Sequence, residues 1–202
     1  QDIAHALSLI CRGNGHVQTF WSVGQHCICC ANEAAARGLS DRMVLACLLH
    51  DASECYMSDV PTPFKKELPE YQEQEEHLLR MIYEKFLGST LTSGEQAQLK
   101  EIDHAMLLYD LENLLGEVQY GEIPDLHIDL DYTVRSFTEV EDEYLMLFAK
   151  YSGTAASKAV YLEDIADAFE ECMDGWAQFL DTRTGEIVAY ILRSEEQFSR
   201  NA

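Results

Sequence analysis

Residues 50–63, His-Asp-Ala-Ser-Glu-Cys-Tyr-Met-Ser-Asp-Val-Pro-Thr-Pro, are the stretch on which the interpretation of the chain depends. They follow an apolar segment, residues 41–50, in which Met43 and Cys47 recur at helical spacing and His50 continues their stripe. A histidine and an aspartate therefore meet at the end of a buried helix, and a dense polar run with prolines follows them. This pattern indicates a site that carries chemistry.

A second candidate ligand lies in the helix predicted to begin after Ser22, its N-cap, and to run to about Arg37. His26 is one helical turn from both Val23 and Cys30 on the apolar stripe of that helix, so we expect it to face inward. A lone histidine on an apolar face is usually a satisfied core residue. By itself, His26 therefore does not predict a site.

Asp103 borders the inward face of a long helix predicted from Ser93 to Leu115. A carboxylate beside a core stripe is costly unless a charge or a strong donor meets it, and an arginine could fill that role. If Asp51 and Asp103 converge within about 4 Å, their repulsion is of order 4 kcal/mol at an effective dielectric near 20. No local cluster of lysine or arginine offsets that cost, so a divalent cation is the better interpretation.

These side chains form one mixed set of nitrogen and oxygen donors: His26, His50, Asp51 and Asp103. The set suits one divalent ion, Mn, Co, Fe, Zn or Mg, and leaves coordination positions open for water and substrate. Such an ion lowers the pKa of bound water from 15.7 towards about 7. Glu54, one turn after His50, is placed to orient or deprotonate that water.

The remaining sequence predicts a mostly helical chain. Helices are expected at residues 2–11, 23–37, 41–50, 70–87, 93–115 and 137–151, with a structured proline-rich loop at 57–69. Residues 152–159 are small, polar and without periodicity, as in a linker. Beyond them, 161–173 suits a helix and 176–192 a β-hairpin. We predict an all-α bundle over 1–151 and a small acidic module of one helix and a hairpin over 160–202.

The charge of the chain limits its partners. It has 14 basic and 36 acidic residues, a formal net charge of −22. A nucleic-acid binder needs a cationic surface to displace the counterions of phosphates, so we expect no nucleic-acid polymer as a partner. A small phosphate ester stays compatible if a metal and a few cations reverse the field in one pocket. No stretch approaches the roughly 18 apolar residues of a membrane helix, so no membrane partner is expected.

The seven cysteines do not suggest a zinc knuckle, because no second CxxC-type pair exists in the sequence. The opening residues lack the pattern of a secretory signal, and the odd count predicts free thiols in a reducing compartment, the cytoplasm. We interpret Cys27, Cys29 and Cys30 as small buried hydrophobes. Because the chain opens at Gln1 within a predicted helix, we also expect natural residues to precede it.

The order of the candidate ligands is that of a known signature. His26, then His50 and Asp51, then Asp103, resembles the H…HD…D pattern of the HD superfamily of metal-dependent phosphohydrolases. The resemblance covers about residues 2–150. It implies a helical bundle with a divalent metal ion held between helices by these four side chains.

Two longer stretches narrow the resemblance. Residues 50–63 are similar to the HDASE…GDLPTP signature of the HD 5′-deoxynucleotidase group, and residues 2–26 resemble the start of phage-associated and bacterial HD hydrolases. In the nucleotidases a phosphate-contacting arginine is followed by tryptophan. Arg12 is the best match for that arginine, but Gly13 follows it here. The resemblance therefore does not indicate which base is recognised.

The resemblance also implies roles for individual residues. Glu54 matches the catalytic acidic residue and Asp59 the aspartate that contacts the sugar, and both are candidates for catalysis. Arg12 would contact phosphate, and a homodimer is implied. Further candidate contacts to the substrate, each equally consistent with an ordinary surface role, are His16, Thr62 and Lys65.

Three functions fit these observations. The leading one is a phosphohydrolase that releases phosphate from a small nucleotide, a (deoxy)ribonucleoside 5′-monophosphate. The second keeps the site but takes a nucleoside triphosphate or a guanosine alarmone. The third is a non-catalytic, metal-stabilised binding module, which the spare carboxylate of Glu54 disfavours.

Overall fold

The computed structural model describes residues 1–117 and 123–153, except for the side chain of Thr62. Within these ranges the chain is helical and contains no β-strand, apart from one isolated bridge between Cys11 and Ser22. The all-α prediction is therefore confirmed. The helices are α1 (Asp2–Leu9), α2 (Val23–Ala36), α3 (Asp41–Leu49), α4 (Glu54–Met57), α5 (Thr62–Lys65), α6 (Pro69–Leu87), α7 (Ser93–Leu115) and α8 (Phe137–Ser152).

The predicted C-terminal helix and hairpin, and most of the predicted linker at 152–159, lie outside the described residues. The division of the chain into two modules therefore stays a prediction.

Side-chain caps explain where the main helices begin. The Ser22 hydroxyl accepts from the backbone N–H of Gln25, and the side-chain oxygen of Gln25 accepts from the backbone N–H of Ser22. These two reciprocal hydrogen bonds form a capping box. Thr92 and Glu95 form the same box at the start of α7. Each box satisfies two backbone donors that a helix end leaves free. The N-cap of α7 is thus Thr92, and the helix begins at Ser93 as predicted.

The proline-rich segment 57–69 is more helical than predicted. It contains α5, and Pro69 occupies the first position of α6. Proline fits the first turn of a helix because the backbone donors there have no partner within the helix.

A second difference from the prediction is that α1 ends at Leu9 and not at residue 11. Ile10 is extended (φ −76°, ψ 121°), and its carbonyl accepts from the backbone amide of Val23.

Helix α2 is central and packs against α1, α3, α7 and α8. A Cβ atom added at Gly24 would lie 3.2 Å from the backbone of Leu7, so glycine permits the close approach of α1. On the other side, the Tyr144 hydroxyl of α8 donates to the Leu48 carbonyl at 2.7 Å. These contacts fix α2 and α3, the two helices that carry the predicted histidines. Among the helices described, none is both long and apolar enough to cross a membrane.

Candidate metal centre

The four predicted ligands come from α2, the end of α3 and α7. Nε2 of His26 lies 3.1 Å from Oδ1 of Asp103 and 3.9 Å from Oδ2 of Asp51. Nε2 of His50 lies 3.3 Å from the same oxygen of Asp51 and 3.5 Å from the same oxygen of Asp103. Each of the two imidazole nitrogens therefore lies within 4 Å of an oxygen of both aspartates.

The opposite ring nitrogens determine what the two histidines present to the aspartates. Nδ1 of His50 lies 2.7 Å from the carbonyl oxygen of Cys47. Because a carbonyl only accepts, Nδ1 carries a proton, and Nε2 of the neutral ring is left with a lone pair. Nδ1 of His26 donates in the same way to Oδ2 of Asp110 at 3.0 Å. Both rings are thus oriented as metal ligands usually are, by a hydrogen bond behind them.

The residues present fit a divalent metal ion. Nε2 of His50 is buried and has no hydrogen-bond partner among the described residues. Two lone pairs of imidazole facing two carboxylates repel one another, and a buried nitrogen without a partner costs about 1–3 kcal/mol. A cation between these atoms removes both costs, and the mixed nitrogen and oxygen donors suit Mn, Co, Fe, Zn or Mg.

When no metal ion is bound, protons compensate the charge of the carboxylates. Burial and the charge of Arg12 lower the pKa of His26, but Cys30, Asp103 and Asp110 together raise it well above its usual range. Burial also lowers the pKa of His50, but Asp51, Cys27 and Asp103 raise it well above its usual range. Burial raises the pKa of Asp103, yet its hydrogen bond with His26 and the nearby charge of His50 hold it below its usual range. Metal binding at this cluster therefore has to displace protons.

Arg12 lies between two carboxylates of the cluster. Its Nη1 is 3.3 Å from Oδ2 of Asp51, and its Nε is 3.6 Å from Oδ2 of Asp110. Burial lowers the pKa of Arg12, but these and other pocket carboxylates raise it above its ordinary value, so the guanidinium stays charged. A fixed cation beside the predicted ligands can bind a phosphate oxygen.

Asp59 is held by the turn that carries Arg12. The turn spans Arg12–Gly15, and the amide of Gly13 donates to Oδ2 of Asp59 at 2.9 Å. Gly13 has φ +59°, a left-handed conformation that a tryptophan would adopt only with strain. The glycine that departs from the nucleotidase pattern is therefore what lets this backbone amide reach Asp59.

Glu54 begins α4 and is buried, and its Oε2 has no hydrogen-bond partner in the described part of the chain. Its Oε1 lies 3.8 Å from Nζ of Lys65, which also forms an ion pair with Glu75 at 2.7 Å. Burial, Asp51 and Asp59 all raise the pKa of Glu54 well above its usual value. Glu54 therefore keeps its proton to a higher pH than a free carboxyl group does, which suits a group that donates or accepts protons.

A cavity of about 440 Å³ opens over this cluster. Its polar part contains six charged side chains that were predicted from the sequence, Arg12, Asp51, Glu54, Asp59, Lys65 and Asp103, together with Asp110. Its apolar part is formed by aliphatic residues and prolines, namely Val17, Val60, Pro61, Pro63, Leu107, Leu111, Leu114 and Leu115. Helix α7 lines both parts, because Asp103, Asp110 and the leucines recur on one of its faces.

The structure does not support or exclude the predicted substrate contacts of two residues, His16 and Thr62. His16 is exposed and is not among the residues that line this cavity, although the next residue, Val17, is. Thr62 begins α5, but its side chain lies outside what the structure describes. Their roles stay untested.

Asp110 was not predicted from the sequence. It is buried, bonds His26 behind the site and also accepts from the Tyr132 hydroxyl at 3.1 Å. It lies seven residues after Asp103, two turns along the same helical face, and that spacing could have indicated it. Asp110 orients a predicted ligand and is not itself one of the four, so the ligand pattern alone does not include it.

The helices and the side chains that they bring together define an all-α domain with a candidate divalent-metal site. The profile of the HD domain matches residues 15–118, more than half of the chain, and the chain belongs to that family. Members of this family are generally metal-dependent hydrolases.

Two relatives share part of the sequence. The chain is 40% identical to the uncharacterised protein YfdR of Escherichia coli K12 over 85 residues, which are 42% of this chain and 45% of that protein. It is 31% identical to an uncharacterised protein of Rhodobacter capsulatus over 123 residues, which are 57% of this chain and 62% of that protein. The chain thus spans about half the length of the curated relatives it matches.

Proposed function

We propose that this protein is a metal-dependent phosphohydrolase that releases phosphate from a nucleoside 5′-monophosphate. The observation that carries the proposal is the two-part cavity, in which a cluster fit for a metal ion adjoins an aliphatic wall. A nucleoside monophosphate has the same division, with a doubly charged phosphate at one end and, at the other, a flat base whose faces make apolar contacts.

The polar part of the cavity supplies what hydrolysis of a phosphate ester needs. His26, His50, Asp51 and Asp103 would hold a divalent ion, which would supply a Lewis acid and lower the pKa of water at the site. Arg12 and Lys65 provide positive charge for the oxygens of the phosphate and for the leaving-group oxygen, which takes the electron pair of the breaking P–O bond.

Glu54 and Asp59 serve different steps. Glu54, with its buried and unpartnered Oε2 and its raised pKa, holds or accepts a proton beside the reacting phosphate. Asp59 is fixed through one oxygen by the Gly13 amide, which leaves its other oxygen to accept from a sugar hydroxyl. The aliphatic wall offers no side-chain donor or acceptor, so it binds a base by shape and apolar contact.

Phosphate release from a panel of substrates tests the proposal. The protein is loaded with Mn or Co and incubated with ribo- and deoxyribonucleoside 5′-monophosphates, with inorganic phosphate as the readout. We expect turnover of nucleotides and much slower turnover of glycerol phosphate, which has no base to contact the wall. Asp103→Asn should abolish turnover, whereas Asp142→Asn, at an exposed position on α8, should not. No phosphate release from any nucleotide would refute the assignment.

A substrate with more than one phosphate is the second candidate. It is favoured by the presence of two cations, Arg12 and Lys65, in the polar part of the cavity. A nucleoside triphosphate or a guanosine alarmone would use both. Product analysis separates the two candidates, since the second yields pyrophosphate or triphosphate and the first yields orthophosphate.

A further inference from the structure

Cys30 lies beside the predicted metal ligands and has no part in the function proposed above. It follows His26 by one turn of α2 and is 1% exposed. Its Sγ lies 3.6 Å from Nε2 of His26. The donor atoms of His26, Cys30, His50 and Asp103 all lie within 4.8 Å of one another.

We infer that the Cys30 thiolate is a further ligand of the metal ion, bound from the buried side of the site. The inference rests on the metal site of the proposed function and specifies which class of ion that site takes. Nε2 of His50, buried and without a hydrogen-bond partner among the described residues, faces the same volume and indicates independently that a ligand belongs there.

The distance between sulfur and nitrogen agrees with shared coordination. With Zn–N bonds of about 2.0–2.1 Å and Zn–S bonds of about 2.3 Å, an angle of about 110° at the ion separates the two donor atoms by about 3.6 Å. The observed separation of Cys30 Sγ and His26 Nε2 is 3.6 Å. The same nitrogen lies 3.1 Å from the Asp103 oxygen, as neighbouring ligands of one ion do.

A thiolate changes the preference of the site. Thiolate ligands select borderline and soft ions, whereas carboxylates and water suit Mg and Mn. With Cys30 bound, the site should therefore prefer Zn, Co or Fe(II) over Mg and Mn. On binding, the thiol proton passes to the buffer and sulfur donates its electron pair to the ion, so no redox partner is needed.

Two neighbouring cysteines serve in the test, Cys27 as the alternative sulfur ligand and Cys29 as the control position. The Cys27 thiol lies near His50 and Asp51 in a similar cluster and is the alternative sulfur donor. Cys29 is half-buried on the same helix and belongs to neither cluster found in the described residues. Comparing the variants at these positions assigns the sulfur.

The test is titration of the metal-free protein with Co(II), followed by absorption. We expect a near-ultraviolet band from charge transfer between thiolate and cobalt, lost in Cys30→Ser and in Cys30→Ala but kept in Cys29→Ser. We also expect Zn affinity to fall on the order of ten- to a hundredfold in the Cys30 variants, with Mg affinity nearly unchanged. Circular dichroism establishes that each variant is folded.

The outcomes are distinguishable. Co(II) binding without a thiolate band in the wild type overturns the inference and leaves the hydrolase proposal standing. A band that survives in Cys30→Ala and disappears in Cys27→Ser also overturns it, because Cys27 would then be the donor. If the protein binds no divalent ion at all, both the inference and the metal site of the proposed function are refuted.

Discussion

Nδ1 of His26 lies 3.0 Å from Oδ2 of Asp110, on the side of the ring opposite to Asp103. This hydrogen bond fixes both the orientation and the tautomer of the imidazole, so that Nε2 presents its lone pair to the predicted metal position. Asp110 is itself held by the Tyr132 hydroxyl at 3.1 Å. A residue outside the predicted ligand set therefore determines whether His26 can act as a ligand.

Asp110→Asn should weaken metal binding on the order of ten- to a hundredfold, because the amide can present a donor to Nδ1 and favour the wrong tautomer. Isothermal titration with Zn or Mn measures the affinity. Tyr132→Phe keeps the carboxylate and should have a smaller effect. Unchanged affinity in Asp110→Asn would show that the hydrogen bond does not orient a ligand.

Glu54→Gln should retain the metal and lose turnover by about 10²–10⁴-fold, since the amide cannot exchange a proton at the buried position. Metal content and phosphate release are measured on the same preparation. Glu76→Gln, at an exposed position of α6, is the matched control. A non-catalytic binding module would show no turnover in either form, and full activity of Glu54→Gln would remove Glu54 from the mechanism.

Metal affinity should rise with pH. In the folded protein without metal, neighbouring groups raise the pKa values of His26 and His50 well above the usual range, so each ring keeps its second proton to a higher pH than a free imidazole does. A metal ion must displace those protons, and its affinity falls as the buffer becomes more acidic. Titrations in buffers of different ionisation enthalpy report the protons released. Affinity and proton release that do not vary with pH would contradict this assignment.

The N-terminus of α7 should contribute stability that depends on pH. Hydrogen bonds from the Thr92 backbone and from Arg42 lower the pKa of Glu95 from 4.5 to about 2. Because the folded-state pKa is depressed, the contribution is complete above about pH 4.5 and is lost as the pH falls towards 2.

Glu95→Gln keeps the capping geometry and removes the charge, so it should lower the free energy of unfolding by about 0.5–1 kcal/mol at neutral pH. Urea denaturation at neutral and acidic pH measures the difference. It should shrink in acid, where the wild-type carboxyl is protonated as well. An equal difference at both pH values would show that the charge does not contribute.

The sequence indicated the helices and the cluster because both follow from periodicity and local chemistry. Apolar spacing and capping residues predicted α2, α3 and α7, and with them the inward faces on which His26 and Asp103 lie. The polar run that begins at His50 predicted a site. These patterns do not predict which other side chains contact the ligand rings in three dimensions.

Residues that act through tertiary contacts were harder to predict. Asp110 is one acidic residue among 36 Asp and Glu, and only its contact with His26 distinguishes it. Cys30 was interpreted as a small buried hydrophobe, which its burial supports, but proximity of its sulfur to Nε2 of His26 is visible only in three dimensions. The helical content of 57–69 was underestimated because prolines in a first helical turn resemble prolines in a loop.

The central claim is that His26, His50, Asp51 and Asp103 bind one divalent ion. Anomalous diffraction from crystals of the metal-loaded protein, recorded on both sides of the absorption edge of the ion, tests it most directly. We predict one strong anomalous peak within bonding distance of both Nε2 atoms and of a carboxylate oxygen from each aspartate. A peak elsewhere, or none at this position in metal-loaded protein, would contradict the account.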